Sequence, residues 1–325
     1  MAPTASTSSR SNLPYGRHRL CNCVPNRSRE GKAAAPIASG RRLELPAPLF
    51  ALGAIASVQV GATVARRLFD TIGPTSTVFL RVGFGALILL GIARPLRPAM
   101  TRSQWQAVAS FGLVVAGMNF CFYQAIARIP LGIAVTIEFL GPLAVAIAGS
   151  RKALDFSWAA MAAIGVVLLS LSGGSVTLTG LAFALGAAVG WAAYIVLSQR
   201  VGRLVPGPDG LALALTVGGV ALAPFGIAAA GARLLNLRSL SLGLVVAVLS
   251  SAIPFSLEFA ALRRLSRRLF GILMSLEPGM GAAAGLLFLG QRLSIRDLVG
   301  IILVIAASVG ATLTARRPSP ALDVS

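Results

Sequence analysis

The chain has 325 residues, of which 56% are hydrophobic and 12% charged, and its mean hydropathy is +0.81. Soluble domains carry roughly 25% charged residues, so this deficit excludes a globular core with a polar surface, and too few polar alternations remain for an outer-membrane barrel. A net charge of +19 would suggest a nucleic-acid partner in a soluble protein, but here the basic residues lie in tails and loops between apolar runs, where they set membrane topology.

Residues 1–45 are rich in Ser, Pro and Arg, with Glu30 and Glu44 as the acids, and contain no apolar run that reads as a secretory signal. They are expected to be a disordered basic cytoplasmic tail or an over-long translation start; an organelle transit peptide is the other reading. Ten apolar segments follow, at about 46–65, 74–93, 106–127, 130–149, 156–173, 178–199, 210–230, 240–262, 269–290 and 296–315. Each is near the roughly 20 residues a spanning helix needs. Gly- and Pro-bearing breaks separate them, at 72–74, 94–98 and 206–210, and no connection is long enough for a soluble domain. A short tail, 316–325, closes the chain.

Starting inside, one side of the membrane collects the basic tail, Arg94, Arg97, Arg102, Arg151, Lys152, Arg200, Arg203, Arg263, Arg264, Arg267, Arg268, Arg316 and Arg317. The other side holds Arg66, Arg67, Arg128, Arg233, Arg238, Arg292 and Arg296. The positive-inside rule therefore puts both termini in the cytoplasm.

Two stretches organise the rest. Gly132 to Pro142 reads GIAVTIEFLGP, and Gly271 to Pro278 reads GILMSLEP. Aligned on the first glycine, Ile133 matches Ile272, Thr136 matches Ser275, and Glu138 matches Glu277. These are spans four and nine. Five spans is an odd offset, so the second half crosses the membrane upside down relative to the first, and sites are expected near the midplane between halves. The expected fold is an all-α polytopic membrane protein, ten transmembrane helices in two inverted-topology five-helix repeats, 46–173 and 178–315.

An ionisable group at mid-membrane is costly and points to a pathway. Glu138 and Glu277 are the first candidates, to carry a coupling proton or to bind an ammonium group; the alternative is that they fasten helices together. Glu258, in span eight and four residues after Pro254, is a third candidate, unless it pairs with Arg263 or Arg264. Arg81 in span two is the candidate for a substrate carboxylate, because its planar fork donates two parallel hydrogen bonds; snorkelling or a salt bridge to a buried glutamate is the alternative. Asn119, Tyr123, Gln124, Gln59, Trp191 and Tyr194 could line a cavity or make interhelical contacts. Pro142, Pro254 and Pro278 interrupt spans and release backbone carbonyls, which requires protein or a wet cavity alongside.

Gly281-x-x-x-Gly285 and Gly186-x-x-x-Gly190 are close-packing faces through which a homodimer is possible. Cys21, Cys23 and Cys121 make no disulfide framework, and the single histidine, His18, lies in the tail, so no metal, cofactor or catalytic triad is expected. There is no GxxxxGK[ST], GxSxG or HExxH, so neither ATP-driven transport nor an enzyme is expected.

The stretches 61–69, 117–147, 155–166, 184–200 and 270–294, with EFLGPLAVA and SLEP within them, resemble the EamA-type branch of the drug/metabolite transporter superfamily over about 47–314. The resemblance implies a secondary exporter of threonine and homoserine across the bacterial inner membrane, exchanged for protons. Its fourth and ninth helices carry Glu138, Pro142, Glu277 and Pro278. The alternatives are export of another metabolite or drug, or a channel or scaffold that transports nothing.

Overall fold

The computed structural model describes residues 46–93, 100–148, 153–171, 176–205 and 207–314. The basic tail, residues 94–99, 149–152, 172–175 and 206, and the segment after Thr314 lie outside them. Among the described residues every regular element is helical, and eight stretches are long and apolar enough to cross a membrane, with a shorter apolar helix at Phe156–Ser170.

The first element, α1 (Ala47–Ala93), has 47 residues. At about 1.5 Å per residue it is far longer than the roughly 30 Å hydrocarbon layer. It breaks at Gly73, whose φ of 76° and ψ of 165° are accessible to glycine alone without strain. Pro74 follows, which also disfavours helical geometry in the residue before it. The two limbs then lie side by side: Gly61 on one and Gly85 on the other both approach the same serine pair, Ser250 and Ser251. The expected break at 72–74 is therefore a reversal inside α1.

Helix α2 (Arg102–Ile126) starts at a capping box in which Thr101 and Gln104 satisfy each other's backbone N–H groups. Spans four and nine are each divided at their glutamate. α3 (Leu131–Glu138) stops at Phe139 and α4 (Leu140–Ala148) resumes; α10 (Arg267–Met274) stops at Ser275, and α11 (Glu277–Leu289) begins on the glutamate with Pro278 behind it. Prolines supply the breaks, because Pro142 cannot donate to the Glu138 carbonyl nor Pro278 to that of Met274.

Between them run α5 (Ala153–Ser170), α6 (Leu178–Leu204) and α7 (Asp209–Ala230). The eighth expected span is α8 (Leu237–Ala247), a π turn (Val248–Ala252) and α9 (Ile253–Leu262), and α12 (Ile295–Thr314) is last.

Small residues set the helix spacing. Gly132 of α3 lies against the backbone of Ala282 in α11, and Gly165 of α5 against that of Gly300 in α12. Gly281 and Gly285 pack on Val135, Leu131 and Gln291, and Gly186 and Gly190 on Cys121 and Met118 of α2. Both glycine faces pack against helices of the same chain, Gly281 and Gly285 buried and Gly186 and Gly190 partly exposed.

Candidate functional site

A cavity of about 400 Å³ lies in the middle of the bundle, walled by both limbs of α1, by α2, α3, α4, α6, α7, α9 and α10, and by the π turn. Into it the fold brings Glu138, Glu258, Glu277 and Arg81. Their backbones explain the convergence. Glu138 ends α3 and Glu277 begins α11, so both project from helix interruptions; Glu258 lies one turn beyond Pro254, which shares its wall. Glu138 is buried, and Glu258 and Glu277 are partly exposed to the cavity. The groups are within electrostatic reach of one another: Glu138 feels the charges of Glu277 and Arg81, and Glu277 those of Glu258 and Arg81.

Among the described residues no ion pair joins Arg81 to any of the three glutamates, so the salt-bridge alternative for Arg81 fails. Its guanidinium carbon stands 5.4 Å from the centroid of the Tyr123 ring, and Nη2 lies 3.5 Å from the Ser250 carbonyl oxygen. The alternative partners of Glu258 are also occupied elsewhere, Arg263 over Phe259 and Arg264 over Phe50.

Asn119, Trp191, Tyr194, Pro142 and Pro254 line the cavity, as does Gln59. Asn119 Nδ2 donates to the Val115 carbonyl in its own helix at 2.8 Å. Trp191 meets Phe139 edge-on at 5.5 Å, and Tyr194 packs on Phe111 at 5.1 Å. The Gln59 side-chain carbonyl is buried with no hydrogen-bond partner.

Three expected residues stand apart. Tyr123 is fully buried behind Arg81, against Phe69 at 5.8 Å, and does not line the cavity. Pro278 is buried outside the lining. Gln124 donates to Thr75 at 2.9 Å and accepts from Arg128 at 2.6 Å, so it serves a network near the ends of α1's reversal and α2. Conversely, Ser250 and Ser251 on the cavity wall are not among the expected site residues. Their signal in sequence is the serine pair shortly before Pro254.

A bundle of apolar spanning helices around a cavity of opposed charges defines a polytopic membrane transporter. The chain belongs to the EamA-like transporter family, whose model matches residues 45–173 and again 178–313. It is 42% identical over 283 residues to the threonine/homoserine exporter RhtA of Salmonella typhimurium (strain LT2), covering 86% of this chain and 96% of that protein. It is 42% identical over 271 residues to the threonine/homoserine exporter RhtA of Escherichia coli (strain K12), covering 82% and 92%. A solved structure, titled only as the crystal structure of a protein, superposes with a TM-score of 0.54 at 22% identity over 85% of this chain and 98% of its own, which shows a shared fold.

Proposed function

We propose that the chain exports small neutral amino acids, threonine and homoserine, from the cytoplasm across the bacterial inner membrane in exchange for protons. The observation that carries this reading is a mid-bundle cavity in which one guanidinium faces three carboxylates, in a chain whose relatives are named threonine/homoserine exporters. A zwitterionic amino acid needs one partner of each sign. Arg81 takes its carboxylate through the planar fork. Glu138 or Glu277 takes its ammonium group or the coupling proton, and Glu258 serves the same pathway nearer the cytoplasm. Trp191, Tyr194 and Asn119 shape the walls.

The working architecture is ten spans in two inverted five-helix repeats, 46–173 and 178–315, flanked by tails 1–45 and 316–325. The helix pairings support it. The second limb of α1 packs on α7, α3 on α11, and α5 on α12, each a pairing of equivalent helices. The other close pairs exchange when the halves are swapped, α2 with α6 for the first limb of α1 with α9, and α2 with α7 for the second limb of α1 with α8. A pseudo-two-fold axis in the membrane plane requires that pattern.

With both termini cytoplasmic, as the basic loops favour, the cavity extends toward the cytoplasmic ends of α7 and α10 at Leu211 and Phe270. At the other end Gly132 and Ala282 are in close contact. This is an inward-facing state, and alternating access closes the first end while opening the second.

The test is export of threonine and homoserine by cells expressing the wild type or Glu277→Gln at matched membrane levels. Wild type is expected to lower the intracellular pools and the variant to leave them high. A wild type that exports neither amino acid would overturn the solute assignment.

A further inference from the structure

Exchange of a neutral amino acid for a proton occupies Arg81 and two carboxylates, and the cavity holds a third. None of Glu138, Glu258 and Glu277 has a hydrogen-bond or ion-pair partner among the described residues, although Glu138 is only 8% exposed. Carboxylates inside a membrane bundle are costly unless a cation arrives. Glu258 is the surplus one. Arg263 and Arg264, close to it in the chain, lie over Phe259 and Phe50. At the spacing that pairs Glu138 with Glu277, its counterpart is Asn119, a neutral residue whose amide is held by the Val115 carbonyl. The fold therefore accepts an uncharged side chain at that place.

Glu258 and Arg81 stand at different depths of the same cavity. The guanidinium lies at Ser250, whose carbonyl oxygen is 3.5 Å from Nη2. Glu258 comes eight residues later in the same span, about 12 Å along the axis at ~1.5 Å per residue, with its Cβ tilted back toward Ser250. Pro254 and Phe255 make an apolar wall between them. A solute whose carboxylate sits on Arg81 keeps its α-ammonium close by, where Glu138 and Glu277 both feel the Arg81 charge. That ammonium does not extend to Glu258.

We propose that Glu258 is a subsite for a second ammonium group, so that the protein also exports basic amino acids of the length of ornithine and lysine. The inference rests on the functional reading above, in which Arg81 holds the carboxylate and Glu138 or Glu277 the α-ammonium. The side-chain methylenes run along Pro254 and Phe255, as the stems of long cationic side chains do on apolar surface. The terminal ammonium then meets Glu258 in a charge-assisted hydrogen bond.

The test uses inverted membrane vesicles under an imposed pH gradient. Uptake of labelled threonine, homoserine and ornithine is measured, and threonine uptake is competed with ornithine and with norleucine, which carries a methyl in place of the terminal ammonium. Wild type is expected to accumulate ornithine and to favour it over norleucine by about tenfold or more, the scale of one charge-assisted hydrogen bond. Glu258→Gln is expected to bring that ratio within about twofold of one, and Glu258→Asp, which keeps the charge, to retain most of it. A loss of folded protein lowers uptake without moving the ratio. If Glu258→Gln is too slow to assay, the wild-type ratio and Glu258→Asp decide. A wild type that carries threonine but accumulates no ornithine, or favours it no more than norleucine, overturns the subsite and leaves the functional reading standing. Glu258→Gln with the full wild-type ratio overturns the subsite as well. A wild type that carries ornithine but neither threonine nor homoserine overturns the neutral solute and supports the subsite, and one that carries none of the three overturns both.

Discussion

Arg81 is held by the face of Tyr123, with its guanidinium carbon 5.4 Å from the ring centroid and no carboxylate paired to it among the described residues. The tyrosine is itself fully buried. A cation held by a ring, as the partly exposed Arg81 is, keeps its hydrogen-bond donors available, whereas one held by a carboxylate does not. Cation–π contacts are worth about 2 kcal/mol when desolvated.

Tyr123→Leu is accordingly expected to raise the KM for threonine uptake by about tenfold, since a 1.4 kcal/mol loss is one decade. Tyr123→Phe keeps the ring, so its KM should stay within about twofold of wild type, well under 1 kcal/mol. Equal damage from both variants would assign the role to the hydroxyl instead.

Glu138 and Glu277 are each expected to be required for coupling. Glu138→Gln and Glu277→Gln keep the shape and remove the titratable group, so accumulation driven by an imposed pH gradient should vanish in both at normal membrane levels. Full gradient-driven transport in both variants would return the pair to a role in fastening helices.

The crossing of α3 and α11 is set by Gly132, where an added Cβ would stand 2.6 Å from the Ala282 Cα. A backbone atom cannot move aside as a flexible side chain can, and overpacking costs about 1–3 kcal/mol. Gly132→Val is expected to lower the melting temperature of purified protein measurably. Gly117→Ala, with nothing within 4 Å of its added Cβ, serves as the control and should not.

Gln291 Oε1 accepts the buried Leu131 N–H at 2.9 Å, tying the start of α3 to the segment after α11. Gln291→Leu orphans that N–H, a loss of about 1–3 kcal/mol, and should lower the melting temperature. Gln291→Glu restores an acceptor and should recover most of it. Equal melting temperatures for wild type and Gln291→Leu would mean that water replaces the amide.

Hydropathy and helix breakers act along the chain, so the apolar segments, the interruptions at Gly73, Pro142, Pro254 and Pro278, and the matching of Glu138 with Glu277 were all legible without coordinates. Mid-span placement of a glutamate is likewise a local fact, and it marked three of the four charged groups that meet in the cavity; Arg81 was marked in the same way.

What tertiary structure alone decided was which way each helix faces. In a soluble protein a polar stripe reveals the outside of a helix, but in a bilayer lipid and protein core are both apolar, and the stripe is missing. Tyr123 therefore read like Tyr194, yet one stands behind Arg81 and the other lines the cavity. Gln124 and Gln59 were indistinguishable until packing sent one to Thr75 and Arg128 and the other to the cavity. Ser250 and Ser251 of the π turn came to the cavity wall beside Arg81 only through packing.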